Sequence, residues 1–204
     1  MTGITENKNN TYLNTIKECF DVILSGEKED SRLAARKVRR LLYSSRGSGN
    51  KFGDIKNIVN SAPGNYVIIT ESWRQENFVS AVSVIYYLHD REVQPDFLFP
   101  WLFQLLEHKS GTVRYAAVRM FINELGPLTV HIRVPEYKSE RLKPEQADRI
   151  LQALFVSLNN MLARLWEPKY KRYKYINSLP ANPYKSVQMV MAELEEYCGK
   201  DYGK

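Results

Sequence analysis

A chain of 204 residues, 44% hydrophobic and 25% charged, is long enough to bury a core without a metal or disulfide staple. It carries 29 Lys and Arg against 23 Asp and Glu, a net charge of +6 that favours anionic partners over cationic ones. The two cysteines, Cys19 and Cys198, stand at opposite ends, which excludes a disulfide framework or zinc knuckle built from sequence neighbours.

In chain order, the opening MTGITENKNN is polar and lacks the apolar run of a secretory signal. The periodicity then becomes helical almost throughout. Leu13, Ile16, Phe20, Ile23 and Leu24 recur at spacings that put them on one helix face. After SGEKED, Asp30 or Ser31 is placed to cap a second helix to about residue 45, with Ala34, Val38, Leu41 and Leu42 as its stripe. SRGSGNKFG (45–53) reads as a flexible loop without the pattern of a P-loop, and a short helix follows at about 54–60.

NYVIIT (65–70) leaves a strand and a buried turn both open. Ser72 and Gln75 have capping-box spacing and predict a helix to about 89. Residues 96–108 are apolar enough to be buried on most sides. The longest apolar run, 97–106, is about half of the ~20 residues a membrane span needs. Residues 112–125 form an amphipathic pattern predicted to stop at Gly126-Pro127. LTVHIRV (128–134) alternates with period two and predicts a short extended piece inside an irregular connection at about 126–143. Pro144 opens the longest helix, to about 166, with Ile150, Leu151, Leu154, Phe155, Leu158, Met161, Leu162 and Leu165 inward. Asn182-Pro183 opens a last helix that Gly199 ends. The expectation is one all-α domain over 11–199, in pairs at about 11–46, 52–89, 95–126 and 144–198, with flexible tails at 1–10 and 200–204. A cytoplasmic protein without membrane contact is expected.

The pair at 96–126 carries Pro100, Leu105-Leu106, Val113-Arg114 and Ala116-Ala117 in an order that resembles a HEAT repeat. Two antiparallel helices joined by a tight turn approach closely there, and alanine supplies the small contact. A second copy lies upstream. Arg32 falls on Arg114, and Ala34-Ala35 on Ala116-Ala117, at an offset of 82 residues, two repeats of the family's usual ~40–47. The resemblance to the HEAT and armadillo-like α-solenoids implies a compact superhelix of about four pairs with the second helices lining a concave surface. It also implies an aspartate in each turn that meets the arginine. Asp30 fills that place in the first pair, while EHKSGT (107–112) contains no aspartate.

Two basic clusters are candidate partner surfaces. Arg32, Arg36, Arg39 and Arg40 share one face opposite the apolar stripe, and planar guanidiniums pair bidentately with oxyanions. Arg32, matched to Arg114, is the member closest to a structural role. PKYKRYKYI (168–176) interleaves Lys169, Lys171, Arg172 and Lys174 with Tyr170, Tyr173 and Tyr175. Either its tyrosines cover the end of the core, or they stand exposed for base stacking with the cations on phosphates. Trp73, Trp101 and Trp166 are expected in the core or between repeats, with Trp73 nearest the surface.

His89, His108 and His131 have no metal-ligand spacing, and Cys19 falls on an apolar stripe as a buried thiol. No metal, cofactor or catalytic constellation is expected. The leading reading is a non-enzymatic module whose basic concave surface binds an acidic protein segment or nucleic acid through Arg36, Arg39, Arg40 and residues 169–174. One alternative is an enzyme resembling the HEAT-like DNA glycosylases of alkylated bases. The other is an adaptor or assembly subunit with no charged ligand.

Overall fold

The computed structural model describes residues 15–43, 51–88, 96–136, 142–172 and 180–199. The predicted tails at 1–10 and 200–204, most of the 45–53 loop, His89, Tyr173 and Lys174 lie outside the described residues. Among the described residues the chain is all-helical, with ten α-helices and no strand.

Helix α1 (Ile16–Ser25) starts at Thr15, whose hydroxyl accepts from the Glu18 amide while the Glu18 carboxylate accepts from the Thr15 amide, both at 3.1 Å. It buries Ile16, Cys19, Phe20 and Ile23. At Gly26 the chain turns so tightly that a Cβ would lie 2.7 Å from the Val22 carbonyl oxygen, so only glycine fits. Helix α2 (Lys28–Tyr43) carries Glu29 and Asp30 in its first turn and Arg40 in its last, as the helix dipole favours. Its inward stripe is Ser31, Ala34 and Val38.

Helix α3 (Lys51–Asn60) and α4 (Ala62–Val67) precede α5 (Ser72–Ile85). NYVIIT is therefore neither strand nor buried turn as a whole. It ends α4, leaves Val67 and Ile68 exposed at 77% and 74%, and buries Ile69. Among the described residues its β-branched residues find no neighbouring strand, and β-propensity without a partner does not make a sheet. The Ser72–Gln75 capping box does not form either. Glu71 is the N-cap of α5, and the Gln75 amide instead donates to the Ile69 carbonyl at 2.8 Å.

Helices α6 (Phe99–Leu106) and α7 (Gly111–Leu128) form the next pair. Gly126-Pro127 does not stop α7, because Leu128 and Thr129 are drawn into the core and extend the helix past the proline. The carbonyls around the proline are taken by side chains: Thr129 Oγ1 donates to Leu125 O at 2.6 Å, and Arg133 donates to Gly126 O at 2.9 Å. LTVHIRV is thus not extended: it finishes α7 and forms the single turn of α8 (Val130–Arg133). His131 of that turn meets Asp148 at 3.0 Å, and the Arg133 guanidinium lies 4.8 Å from the Tyr197 ring centre. The Pro144–Leu165 helix, α9, and the Pro183–Cys198 helix, α10, follow the predicted boundaries closely. Asn182 accepts from the Lys185 amide at the start of α10, and Gly199 ends it at φ +86°.

The packing order explains the burial patterns. Helix α2 packs on α5, α5 on α7, and α7 on α10. Helices α5 and α7 are flanked on both sides and also covered by first helices, so they bury residues nearly all round. Helices α2 and α9 each keep a free face and remain amphipathic.

The ends of the pairs are joined by side chains reaching carbonyls. Arg74 donates from α5 to Ile23 O and Gly26 O at the end of α1, both at 3.0 Å. Ser186 of α10 donates to Leu106 O at 2.7 Å. Arg114 donates to His108 O (2.6 Å), Lys109 O (2.9 Å) and Pro180 O (2.7 Å). The resemblance implied an aspartate–arginine ladder in these turns; carbonyl oxygens take the arginines instead, and Arg32 pairs with Glu29 rather than Asp30.

His108 belongs to the same seam. Its Nδ1 accepts from the Ser110 amide at 3.0 Å, so Nε2 carries the proton and faces Gln75 Oε1 at 3.3 Å. Burial first, then the positive charge of Lys109, holds its pKa below the ordinary 6.5, with Glu76 opposing. The unfolded chain therefore takes up this proton before the folded one, and the stability from neutral His108 is lost as pH falls below about 6.5. The melting temperature should drop between pH 7 and 5.5, and part of that drop should vanish in His108→Asn, whose amide oxygen can still accept from Ser110. Equal pH profiles for the two proteins would show that His108 is not the group responsible.

Candidate functional site

The row of second helices leaves a cleft of about 410 Å³ over α5, between α2 and α7. Each helix contributes residues three and four apart, the spacing of one helix face. From α2 come Arg32, Ala35, Arg36 and Arg39. From α7 come Thr112, Tyr115, Ala116 and Arg119. Helix α5 lies between them and supplies the floor, with Asn77, Ser80, Ser83 and Val84. Ala35, Ser80 and Ala116 are small and leave open the space between the longer side chains of the lining.

The charge is one-sided. Among the described residues the lining contains four arginines and no Asp or Glu. Arg32 is held by the carboxylate of Glu29, which lies below its ordinary pKa because Arg32 hydrogen-bonds it. Among the described residues Arg36, Arg39 and Arg119 make no hydrogen bond or ion pair. Each therefore has its full guanidinium fork available to an oxyanion. The floor hydroxyls and amide are partly tied down: Asn77 donates to Ser31 Oγ at 3.1 Å, and Ser83 donates to Ser80 O at 2.8 Å. Tyr115, 39% exposed, is the aromatic ring in the lining.

Of the candidate residues, Arg36 and Arg39 are brought together in the cleft, with Arg32 beside them. Arg40 is exposed on α2 but is not part of the lining. Arg32 and Arg114 match in sequence yet differ in role: Arg32 is at the surface, while Arg114 is 4% exposed and structural. Sequence reading missed Arg119 and Tyr115. Their only signal is the i,i+4 spacing between them, which the nearly continuous burial of α7 obscures.

The second cluster follows α9, at the α10 end of the row. Residues Pro168–Arg172 form a 3-10 turn. Tyr170 is buried at 7% and stacks on Tyr184 of α10, with centroids 4.6 Å apart and planes at 9°. Its ring is occupied by packing rather than open to a base. Lys169 pairs with Glu167 at 2.7 Å. Lys171 and Arg172 lie in the turn, with their side chains outside the described residues, as are Tyr173 and Lys174.

The tryptophans divide differently from expectation. Trp101 is buried, Trp73 is half-buried under the Arg74 guanidinium at 4.4 Å, and Trp166 is the exposed one at 45%. Cys19 is buried, and burial pushes both its pKa and that of Cys198 up to about 11, which leaves neither a nucleophile at neutral pH. No group of three or more His, Cys, Asp and Glu residues that could hold a metal occurs among the described residues, and none of their helices is long and apolar enough to cross a membrane.

No protein-family model, no curated protein and no solved structure matches this chain. Function has to be read from the chemistry of the site.

Proposed function

We propose that this chain is a non-enzymatic, HEAT-like binding module that holds a polyanion, an acidic protein segment or a nucleic acid, across its row of second helices. The observation that carries the reading is the meeting of Arg36 and Arg39 of α2 with Arg119 of α7 around one cleft that has no carboxylate among its described lining residues. Glu29, paired with Arg32 and acting also on Arg36, offsets part of the mutual repulsion of these guanidiniums; an anionic ligand removes the rest while filling their forks.

The repeat-like character rests on register. Offset by 82 residues, the inward positions of α2 fall on inward positions of α7: Ser31 on Val113, Ala34 on Ala116, Val38 on Met120. The cleft-facing positions are instead offset by 80: Arg32 with Thr112, Ala35 with Tyr115, Arg36 with Ala116, Arg39 with Arg119. Two residues rotate a helix face by about 200°, so equivalent helices translated along a row present opposite faces to the space between them. That is the geometry of stacked helix pairs.

Replacing Arg36, Arg39 and Arg119 together by Gln is the test. Arg36 and Arg39 are exposed and Arg119 partly so; the triple variant should keep its melting temperature to within a few degrees and lose affinity for heparin about tenfold or more, given the strength of charge-assisted hydrogen bonds. Arg40→Gln should change it about twofold at most. Unchanged heparin binding by the triple variant would remove the cleft from the function. No binding by either protein would leave an adaptor without a charged ligand.

A further inference from the structure

Taking the anion-holding role of the cleft as its premise, we infer that the ligand is single-stranded nucleic acid, with phosphates on Arg36, Arg39 and Arg119 and one unstacked base on Tyr115. The three ligand chemistries that suit an arginine cluster place different demands on the rest of the lining. An acidic peptide uses the guanidiniums and has no need of an exposed ring. A duplex offers its phosphates outside and keeps its bases stacked inside, beyond the reach of a tyrosine in a helix groove. A single strand offers both groups at once, and an aromatic ring beside cations is the platform it uses.

The geometry fits that third case. Tyr115 and Arg119 are four residues apart on one face of α7, so a base on the ring places its own phosphate near the Arg119 guanidinium. Arg36 and Arg39 are three apart on the facing wall and can receive the neighbouring phosphate. The cleft volume of about 410 Å³ is on the scale of small-ligand pockets, room for about one nucleotide. The hydroxyl of Thr112 and the amide of Asn77 line the same cleft and offer polar contacts along a base edge without fixing its identity.

The experiment titrates the full chain against fluorescein-labelled dA10 by anisotropy, with decaglutamate and a matched duplex as competitors. Three neutralised phosphates on a single strand predict a log–log salt slope of about −2, or roughly a 15-fold loss between about 50 and 200 mM salt. Tyr115→Leu should weaken dA10 about fivefold or more, the lower end of what one stacked base contributes, whereas Tyr115→Phe should stay within about twofold. The ring is surface-exposed, so both variants are expected to melt with the parent protein. If decaglutamate or the duplex competes as well as unlabelled dA10, or if Tyr115→Leu binds dA10 unchanged, the single-strand assignment is overturned while the anion-holding role stands. If neither dA10 nor decaglutamate binds at low salt, both fall together.

Discussion

Replacing Arg114 by Met is expected to destabilise the protein by about 3–5 kcal/mol, more than any change at the cleft. The guanidinium is 4% exposed and donates to three carbonyls, two in its own turn and one 66 residues away at Pro180. A buried acceptor left without its donor costs about 1–3 kcal/mol, and here the buried Pro180 carbonyl and two part-buried ones lose theirs at once, on top of the packing of the guanidinium. Burial lowers the pKa of the group, as desolvation must for a cation paired with dipoles rather than a carboxylate. For a chain of this length each kcal/mol moves the melting temperature by about 2–4 °C, so the midpoint should fall by roughly 6–20 °C. Arg114→Lys should recover less than half of the loss, because a compact ammonium lacks the separated nitrogens by which the guanidinium reaches carbonyls of two turns at once. A loss under about 1 kcal/mol for Met would mean that the turn does not depend on these bonds.

Phe121→Ala should cost a similar amount, about 3–5 kcal/mol, for a different reason. Phe121 is fully buried, and its ring lies 5.2 Å from that of Phe99 and 5.3 Å from that of Phe103. Truncation removes the transfer energy of the ring and leaves a cavity that three rigid elements cannot close. The partly exposed Phe103 should lose clearly less when changed to Ala. Urea unfolding at constant m-value separates the two, and equal losses would place Phe121 outside the centre of the α6–α7 pair. Neither Phe121→Ala nor Phe103→Ala removes a group that lines the arginine cleft.

The predictable parts of this chain are those where one local rule acts alone. In α9 and α10 a single inward stripe, a proline at the first turn and a clear end signal all agree, and their limits follow from sequence. The misread parts are those where a local signal competed with burial. Gly126-Pro127 should end a helix, but Leu128 and Thr129 gain more by being buried than the proline loses in one hydrogen bond. Gln75 has the spacing of a cap, yet the Ile69 carbonyl and His108 lie nearer to its amide once α5 is packed. The alternation in LTVHIRV signals a strand only if another strand is present to receive it.

The candidate site divides in the same way. The basic face of α2 is visible in sequence because four arginines recur at helical spacing within nine residues. The opposite wall is not, because Tyr115 and Arg119 sit in a helix buried nearly all round and look like isolated polar positions. PKYKRYKYI reads as strongly aromatic and basic, but Tyr184 fixes Tyr170 against α10 and Glu167 pairs with Lys169. The sequence by itself determined the helical class and one charged helix face, since these follow from periodicity within a few turns. Only the tertiary structure decided which arginines stand together without an ion-pair partner of their own and which one is buried as a tie between turns. Those facts depend on the meeting of residues 66 to 80 positions apart, which no local pattern encodes.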